Sequence, residues 1–228
     1  MFPAGGRIIE VAVAPRYAIR VNNREGVGKS RPRIRMATIC DAAQVQAIYA
    51  PFCEDSPVSF EVVPPSVAEM ASRITTLTQS YPWLVCERAN DIVGYGYSCK
   101  YRERAAYRWA VEVSVYIDPG WRGKGIGKGL LAALSALLRA QGFFRAYGGV
   151  ALPNPASVAL LKSAGFKPVG VYEKVGFKCG TWHDVGWWVS ILRDAVPDPA
   201  EPLRITELDS SSAWQDAIHR GERLFGVS

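Results

Sequence analysis

The sequence predicts a single domain of mixed strands and helices, of the α/β or α+β class. Its 228 residues, 49% of them hydrophobic, suffice to bury one sizeable core. Strand-like and helix-like segments follow one another over residues 33–192, without an internal repeat or a low-complexity block. Such interleaving is typical of a sheet that packs against helices.

Composition shifts divide the chain into three parts. Residues 1–32 are rich in Gly, Pro and Arg, and we expect a flexible N-terminal extension there. Residues 33–196 carry the regular pattern of the domain. Residues 197–228 begin as a segment rich in Pro and acidic residues, and "SSSAWQDAIHRGERLF" then predicts one amphipathic helix that docks on the domain or on a partner.

The first half of the domain predicts strands separated by two helices. "RIRMAT" is strand-like, and Asp41 is the predicted N-cap of a helix in "AAQVQAIYAPF". Ser66 and Glu69 have the spacing of a capping box at the start of the second helix. "WLVCER" and "IVGYGYSCKY" then predict a hairpin that turns at residues 90–91.

The second half is organised around a strand and a leucine-rich helix. In "AVEVSVYI", residues 110–117, valines occupy one face, and the other face carries Glu112 and Tyr116. "LLAALSALLRAQG" has a helical leucine stripe that ends at Gly142. The remaining segments predict a strand in "RAYGGVAL", a helix from Asn154 and two strands over residues 167–192.

Charge and cysteine content narrow the functional classes. The net charge of +6 is spread along the chain, which favours an anionic ligand over nucleic acid. Apolar runs fall short of the roughly 20 residues that span a bilayer, and no signal peptide is evident. The five scattered cysteines lack C-x-x-C spacing and are interpreted as reduced, buried thiols, with no metal site. We therefore expect a cytoplasmic protein.

Two common phosphate-binding motifs are excluded by their spacing. "GVGKS" resembles the end of a Walker A motif, but Asn23 stands at a required glycine, and Pro32 interrupts the helix that should follow. A dinucleotide fingerprint in "WRGKGIGKGL" would need a glycine at Lys128 or Leu130.

What remains is R-x-x-G-x-G, formed by Arg122, Gly125 and Gly127 between a strand and a long helix. Glycines let backbone N–H groups approach an anion, and a helix N-terminus adds its dipole, so pyrophosphate is the predicted ligand. The alternative is a glycine-rich turn, in which Lys124 and Lys128 simply face water.

Together with this loop, several ordered segments resemble the GNAT acyltransferase superfamily, whose R/Q-x-x-G-x-G/A loop binds acetyl-CoA. The closer similarity is to phosphinothricin N-acetyltransferases and related amino-acid N-acetyltransferases. It covers about residues 34–194 and includes "VSFE", "YPWLVCE", "YRWAVEVSVYID", "WRGKGIGKGLL", "LPNPASVALLKSAGF" and "GTWHDVGWW". The resemblance implies the GNAT fold, a mixed central sheet that is flanked by helices and splayed at the acetyl-CoA site.

The resemblance also implies where acetyl-CoA binds. Backbone groups near the end of the central strand hold the pantetheine arm, and the glycine loop holds the pyrophosphate. Asn154 matches a cofactor-contacting asparagine, although a simple N-cap is compatible with the same position. The implied cofactor residues are Val115, Tyr116, Ile117, Arg122, Gly123, Lys124, Gly125, Ile126, Gly127, Lys128 and Asn154.

Glu112 matches the catalytic carboxylate of the family. A strand glutamate taken alone is more often solvated, but Glu112 precedes the pantetheine segment on the face of Tyr116. It would remove a proton from the acceptor ammonium, and the amine would attack the thioester directly in a ternary complex. Leu161 stands where many superfamily members have a tyrosine acid, so that group is absent or supplied elsewhere.

For the acceptor, Arg102, Arg104 and Tyr107 match a cluster that binds substrate anions in phosphinothricin-type enzymes, with Phe60, Glu61 and the "TWHDVGWW" segment as further walls. A solvated loop is the alternative interpretation of "YRERAAYR". His183 is interpreted as a hydrogen-bonded scaffold residue.

The sequence therefore predicts an acetyl-CoA-dependent N-acetyltransferase for a small amino acid or an analogue such as phosphinothricin or methionine sulfone. A catalytically silent acyl-CoA-binding module and an acetyltransferase for a protein or peptide amine remain as alternatives. Nucleic acid, membrane and metal are not expected as partners, and the resemblance implies a homodimer.

Overall fold

The structure is a computed structural model that describes residues 11–12, 30–208 and 211–226. In these ranges, the strands form one mixed sheet, and five α-helices lie on its two faces. The elements are β1 (Val11–Ala12), β2 (Arg33–Met36), α1 (Ala42–Glu54), α2 (Val67–Leu77), β3 (Trp83–Arg88), β4 (Asp91–Lys100), β5 (Ala110–Ile117), α3 (Ile126–Gln141), β6 (Arg145–Leu152), α4 (Pro155–Ser163), β7 (Lys167–Lys178), β8 (Thr181–Ile191) and α5 (Ser212–Glu222).

The sheet has the order β2-β3-β4-β5-β6-β8-β7, and β1 pairs with β5 outside this path. β5 and β6 are parallel and paired only where residues 110–112 face residues 145–147. Farther along β5, Val115 and Tyr116 pair instead with Val11 and Ala12 of β1. The predicted mixed sheet, flanked by helices and separated between two central strands, is confirmed.

Successive side chains of β5 point to opposite faces of the sheet and pack into two different hydrophobic cores. Its valines pack against α3, whose leucine stripe is fully buried. Its other face carries Tyr116, which packs against Tyr49 and Phe52 of α1. Each buried leucine is worth about 1.5–3 kcal/mol relative to an exposed one, so the two cores fix the position of β5 in the sheet.

The start of α1 differs from the sequence prediction. Asp41 makes no side-chain cap to α1; its carboxylate instead accepts hydrogen bonds from Arg35 Nη1 and Nη2, at 2.7 and 2.8 Å, and from the Thr38 N–H. Burial alone would raise the pKa of Asp41, but the bonds from Arg35 and Thr38 outweigh it and lower that pKa. A pairing partner six residues upstream thus replaced the predicted cap.

The second helix begins as predicted. Ser66 Oγ accepts from the Glu69 N–H at 3.2 Å, and Glu69 Oε2 accepts from the Ser66 N–H at 2.7 Å. This reciprocal pair satisfies two of the backbone donors that every helix start leaves open.

Segments outside the predicted domain also pack on it. β1 belongs to the predicted N-terminal extension, of which residues 1–10 and 13–29 lie outside the described part of the chain. The predicted tail helix is α5, which packs on α3 and buries Ala217 and Ile218. We call residues 211–226, which comprise α5 and the turn after it, the C-terminal arm. Over the described ranges, no helix combines the length and apolarity needed to cross a membrane.

Candidate active site

The glycine loop between β5 and α3 has the geometry of an anion site. Gly123 and Gly125 have φ of +73° and +78°, a left-handed conformation that glycine adopts without strain. Among the described residues, no backbone carbonyl accepts a hydrogen bond from the N–H groups of residues 123–128. These donors lie at the start of the sixteen-residue helix α3, so their arrangement fits the pyrophosphate of acetyl-CoA. We call residues 122–128 the pyrophosphate loop.

The cationic side chains of this loop contribute unequally. Lys124 Nζ donates to the Gly120 carbonyl at 2.9 Å and lies 4.2 Å from the Trp121 ring centroid, so its side chain folds back. Arg122 is half-buried, and that burial lowers its pKa while the Asp118 carboxylate acts in the opposite direction. The backbone N–H groups of residues 123–128 are therefore the donors that this loop leaves open to an anion.

Asn154 caps a helix and leaves a buried donor open. Its Oδ1 accepts from the Ser157 N–H at 3.0 Å and caps α4. Its buried Nδ2 has no hydrogen-bond partner within the described part of the chain. A buried donor without an acceptor costs about 1–3 kcal/mol, so a ligand oxygen at this position would be stabilising. This open donor is a second feature that fits the cofactor.

The predicted pantetheine segment offers backbone rather than side chains. Val115, Tyr116 and Ile117 are buried, and one edge of this segment pairs with β4. The opposite edge lies beyond the last β6 pair, and β1 occupies it at Val115 and Tyr116. A pantetheine arm and β1 would therefore compete for the same backbone groups.

Glu112 is buried on β5, with 1% of its surface exposed. The structure therefore excludes the alternative interpretation that Glu112 lies on a solvent-exposed face of its strand. Arg102 Nη1 donates to Glu112 Oε1 at 3.1 Å. A buried carboxylate requires such a partner, and the adjacent guanidinium stabilises the charged form that a general base needs.

Aromatic rings hold Arg102 in place. Its guanidinium carbon lies 4.3 Å from the Tyr101 ring centroid and 5.7 Å from that of Trp187. Tyr101 in turn stacks on Tyr147 of β6, with 4.3 Å between centroids. Trp187 lies in a segment predicted as a pocket wall, whereas Tyr101 and Tyr147 were not predicted as site residues, because they meet only through the pairing of β4, β5 and β6.

A cavity of about 810 Å³ lies beside this cluster, between α2, β3–β5 and the loop before β5. Its volume is within the range of roughly 300–1,000 Å³ that is usual for small-molecule sites. The structure brings four predicted acceptor residues to its wall, and Phe60 is not among the lining residues. Those four are Glu61, Arg102, Arg104 and Tyr107.

Glu61 is already paired within the cavity wall. Both of its carboxylate oxygens accept from Arg73 of α2, at 2.8 and 2.9 Å. Arg73 was missed from the sequence, since a cation on a helix face usually indicates solvent. The cavity wall therefore contains the Glu61–Arg73 pair and Arg102. Glu112, which binds Arg102, is not itself among the lining residues.

Lys178 fixes the segment that carries Phe60 and Glu61. Its buried Nζ donates to the carbonyls of Phe52, Ser59 and Glu61, at 3.2, 2.5 and 2.8 Å. His183 Nε2 bonds the Lys178 carbonyl at 2.9 Å, which agrees with the scaffold interpretation of that histidine. The described residues contain no cluster of three or more His, Cys, Asp or Glu that could bind a metal.

Comparisons with known proteins agree with this geometry. The family model for an acetyltransferase (GNAT) domain matches residues 34–187. The chain is 36% identical to a phosphinothricin N-acetyltransferase of Streptomyces viridochromogenes over 75% of this chain and 92% of the relative. It is 33% identical to an L-methionine sulfoximine/L-methionine sulfone acetyltransferase of Pseudomonas aeruginosa, over 67% and 90% of the two chains.

A solved structure shows the same fold with cofactor. The phosphinothricin acetyltransferase from Sinorhizobium meliloti in complex with AcCoA superposes with a TM-score of 0.72 at 35% identity, over 75% of this chain and 95% of that one. Together, the splayed sheet, the loop of open amide donors and these matches show that the chain belongs to the GNAT acetyltransferase family.

Proposed function

We propose that this enzyme transfers the acetyl group of acetyl-CoA to the amine of a small anionic amino acid or analogue. The observation that carries the proposal is the buried Glu112 carboxylate of β5, which accepts a hydrogen bond from Arg102, a residue of the cavity wall. The relatives that act on phosphinothricin and on methionine sulfoximine or sulfone support this class of acceptor.

In this proposal, the chain supplies positioning and proton transfer. Acetyl-CoA would supply the acetyl thioester, with its phosphates at the pyrophosphate loop and its acyl end near β5. Glu112 accepts the proton of the acceptor ammonium, directly or through a water. Backbone N–H groups of β5 donate to the carbonyl oxygen as charge develops on it.

No tyrosine acid is available from α4. Leu161, which stands at that position, is fully buried in the core. A thiol with a pKa of about 8.5 is a good leaving group, so the reaction does not depend on this acid.

The acceptor anion is assigned to the guanidinium groups of the loop before β5. Arg102 shares its guanidinium with Glu112, whereas the Arg104 side chain, on the cavity wall, has no hydrogen-bond or ion-pair partner among the described residues. Arg104 is therefore the cation available to a carboxylate or to a phosphinate or sulfone oxygen.

Replacing Arg104 with Ala is expected to raise the KM for a methionine sulfone acceptor by about tenfold, since a charge-assisted hydrogen bond contributes roughly 1.5–3 kcal/mol. The KM for acetyl-CoA should stay the same. Steady-state kinetics with each substrate varied in turn would measure both. Arg108→Ala is the matched control, because Arg108 lies in the same segment but pairs with Glu201. Equal effects of the two variants would contradict the assignment.

The activity itself is testable by thiol release. Purified protein with acetyl-CoA should release free thiol in the presence of phosphinothricin, methionine sulfone or methionine sulfoximine, and less with peptides of the same terminal residue. Tight binding of coenzyme A without thiol release from any amine would support the silent binding module instead. Preferential release with peptides would support the protein-amine alternative.

β1 and the pantetheine arm require the same edge of β5, so removal of β1 should favour the cofactor. A chain that begins at Ser30 is expected to show a KM for acetyl-CoA about two- to tenfold lower, with unchanged kcat, because no competing strand must leave. A full-length variant with Val11→Pro and Ala12→Pro, which removes both backbone donors of β1, should behave alike. An unchanged KM in both variants would show that β1 does not compete.

The homodimer, the cytoplasmic location and the lack of a nucleic-acid partner remain predictions. Dimerisation is supported by the edge strand β7, which exposes a row of large apolar side chains that a second copy would cover. These are Val169, Val171, Tyr172, Val175 and Phe177.

A further inference from the structure

The C-terminal arm contacts the pyrophosphate loop directly. The Gly226 N–H donates to the Lys124 carbonyl oxygen at 3.0 Å. The Leu224 carbonyl oxygen lies so close to Gly125 that a Cβ at Gly125 would overlap it. The last described residues of the arm therefore support the loop from the side on which Gly125 lacks a side chain.

The arm is anchored to the domain at two further places. A Cβ at Gly129 would lie 2.6 Å from both the Gly221 carbonyl oxygen and Cε1 of Phe225, so α5 packs on α3 backbone to backbone. At the end of α5, Glu222 Oε1 accepts from the Ile34 N–H of β2 at 2.8 Å. These anchors fix where the turn after α5 meets the loop.

The glycines of the loop make its ordering costly. Gly123 and Gly125 adopt left-handed conformations, and glycine loses more backbone freedom on ordering than any other residue. The N–H groups of residues 123–128 have no carbonyl acceptor among the described residues. A loop that is ordered before the ligand arrives binds it more tightly, because less freedom is lost on binding.

We propose that the C-terminal arm is a positioning element of the acetyl-CoA site, which holds the pyrophosphate loop in its anion-binding conformation. The arm lies outside residues 34–187, which match the family, so this support is an addition to the matched domain. The proposal rests on the assignment of this loop to acetyl-CoA in the proposed function.

The decisive variant is a chain that ends at Arg223. It keeps α5 and the Glu222–Ile34 bond but lacks Leu224, Phe225 and Gly226. The KM for acetyl-CoA and the Kd for coenzyme A, by titration calorimetry, are expected to rise about tenfold. The kcat and the KM for the acceptor should stay within about twofold, since Leu224, Phe225 and Gly226 are not among the residues that line the cavity.

A second variant keeps the chain length. Gly226→Pro removes the N–H that donates to Lys124, and proline cannot adopt the φ of +75° found at this position. It should reproduce the effect of the truncation. Asp216→Ala is the matched control, since Asp216 is exposed on α5 and should leave cofactor binding unchanged.

The outcomes separate this proposal from the proposed function. If the full chain binds coenzyme A and both variants bind it equally well, the arm only packs against the domain, whatever happens to the Tm. Tighter binding by the variants would mean that the arm obstructs the site and would also overturn the proposal. Failure of the full chain to bind coenzyme A would instead overturn the assignment of the loop, and the proposal with it.

Discussion

Glu112→Gln is expected to lower kcat/KM by about 10²–10⁴-fold, because an amide cannot accept the proton of the acceptor ammonium. Glutamine has almost the same shape and can still accept a hydrogen bond from Arg102, so the packing around β5 should persist. The Kd for coenzyme A should therefore stay within about threefold of the parent value. Steady-state kinetics and calorimetry on the same preparation would check both values.

Glu103→Gln is the control for this loss. Glu103 lines the cavity but is exposed, and its ion-pair partner among the described residues is Lys100, at 3.1 Å, so its amide variant should retain the parent activity. A Glu112→Gln enzyme with parent-like kcat/KM would remove Glu112 from the mechanism. Loss of coenzyme A binding along with activity would instead assign it a structural role.

Lys178→Met is expected to destabilise the fold by about 3–5 kcal/mol, since it leaves the Phe52, Ser59 and Glu61 carbonyls without their buried donor. For a chain of this size, that loss lowers the Tm by roughly 10 °C. Thermal unfolding followed by circular dichroism would measure it.

Lys167→Met, at the exposed start of the same strand, is the matched control and should change the Tm little. A Lys178→Met protein with parent-like Tm would show that the three carbonyls find other donors, such as water. In that case the buried ammonium is not what holds the segment that carries Glu61.

The elements near the site could be predicted from the sequence because local rules specify them. The alternation of β5, the capping residue Asn154 and the terminating Gly142 each depend on neighbours within a few positions. The same holds for the glycine loop, whose spacing excluded a dinucleotide fingerprint.

The parts that could not be predicted depend on contacts between distant segments. Arg73 of α2 binds Glu61 in the cavity wall, and Lys178 of β7 binds the Phe52, Ser59 and Glu61 carbonyls. The arm meets the loop through Gly125 and Gly226, about a hundred residues apart. No periodicity or motif in the sequence reports such pairings, since each depends on the finished sheet.

In the proposed mechanism, the hydrogen bond between Arg102 and Glu112 would link the charge of the acceptor to the strength of the base. An acceptor anion bound at Arg104 that also reached the Arg102 guanidinium would weaken this bond, and a carboxylate that loses a cationic neighbour binds a proton more readily. An acceptor without an anionic group would leave the Arg102–Glu112 pair intact and would meet a weaker base. Selectivity between anionic and neutral acceptors would then appear in kcat as well as in KM, because a bound anionic substrate would itself activate the base.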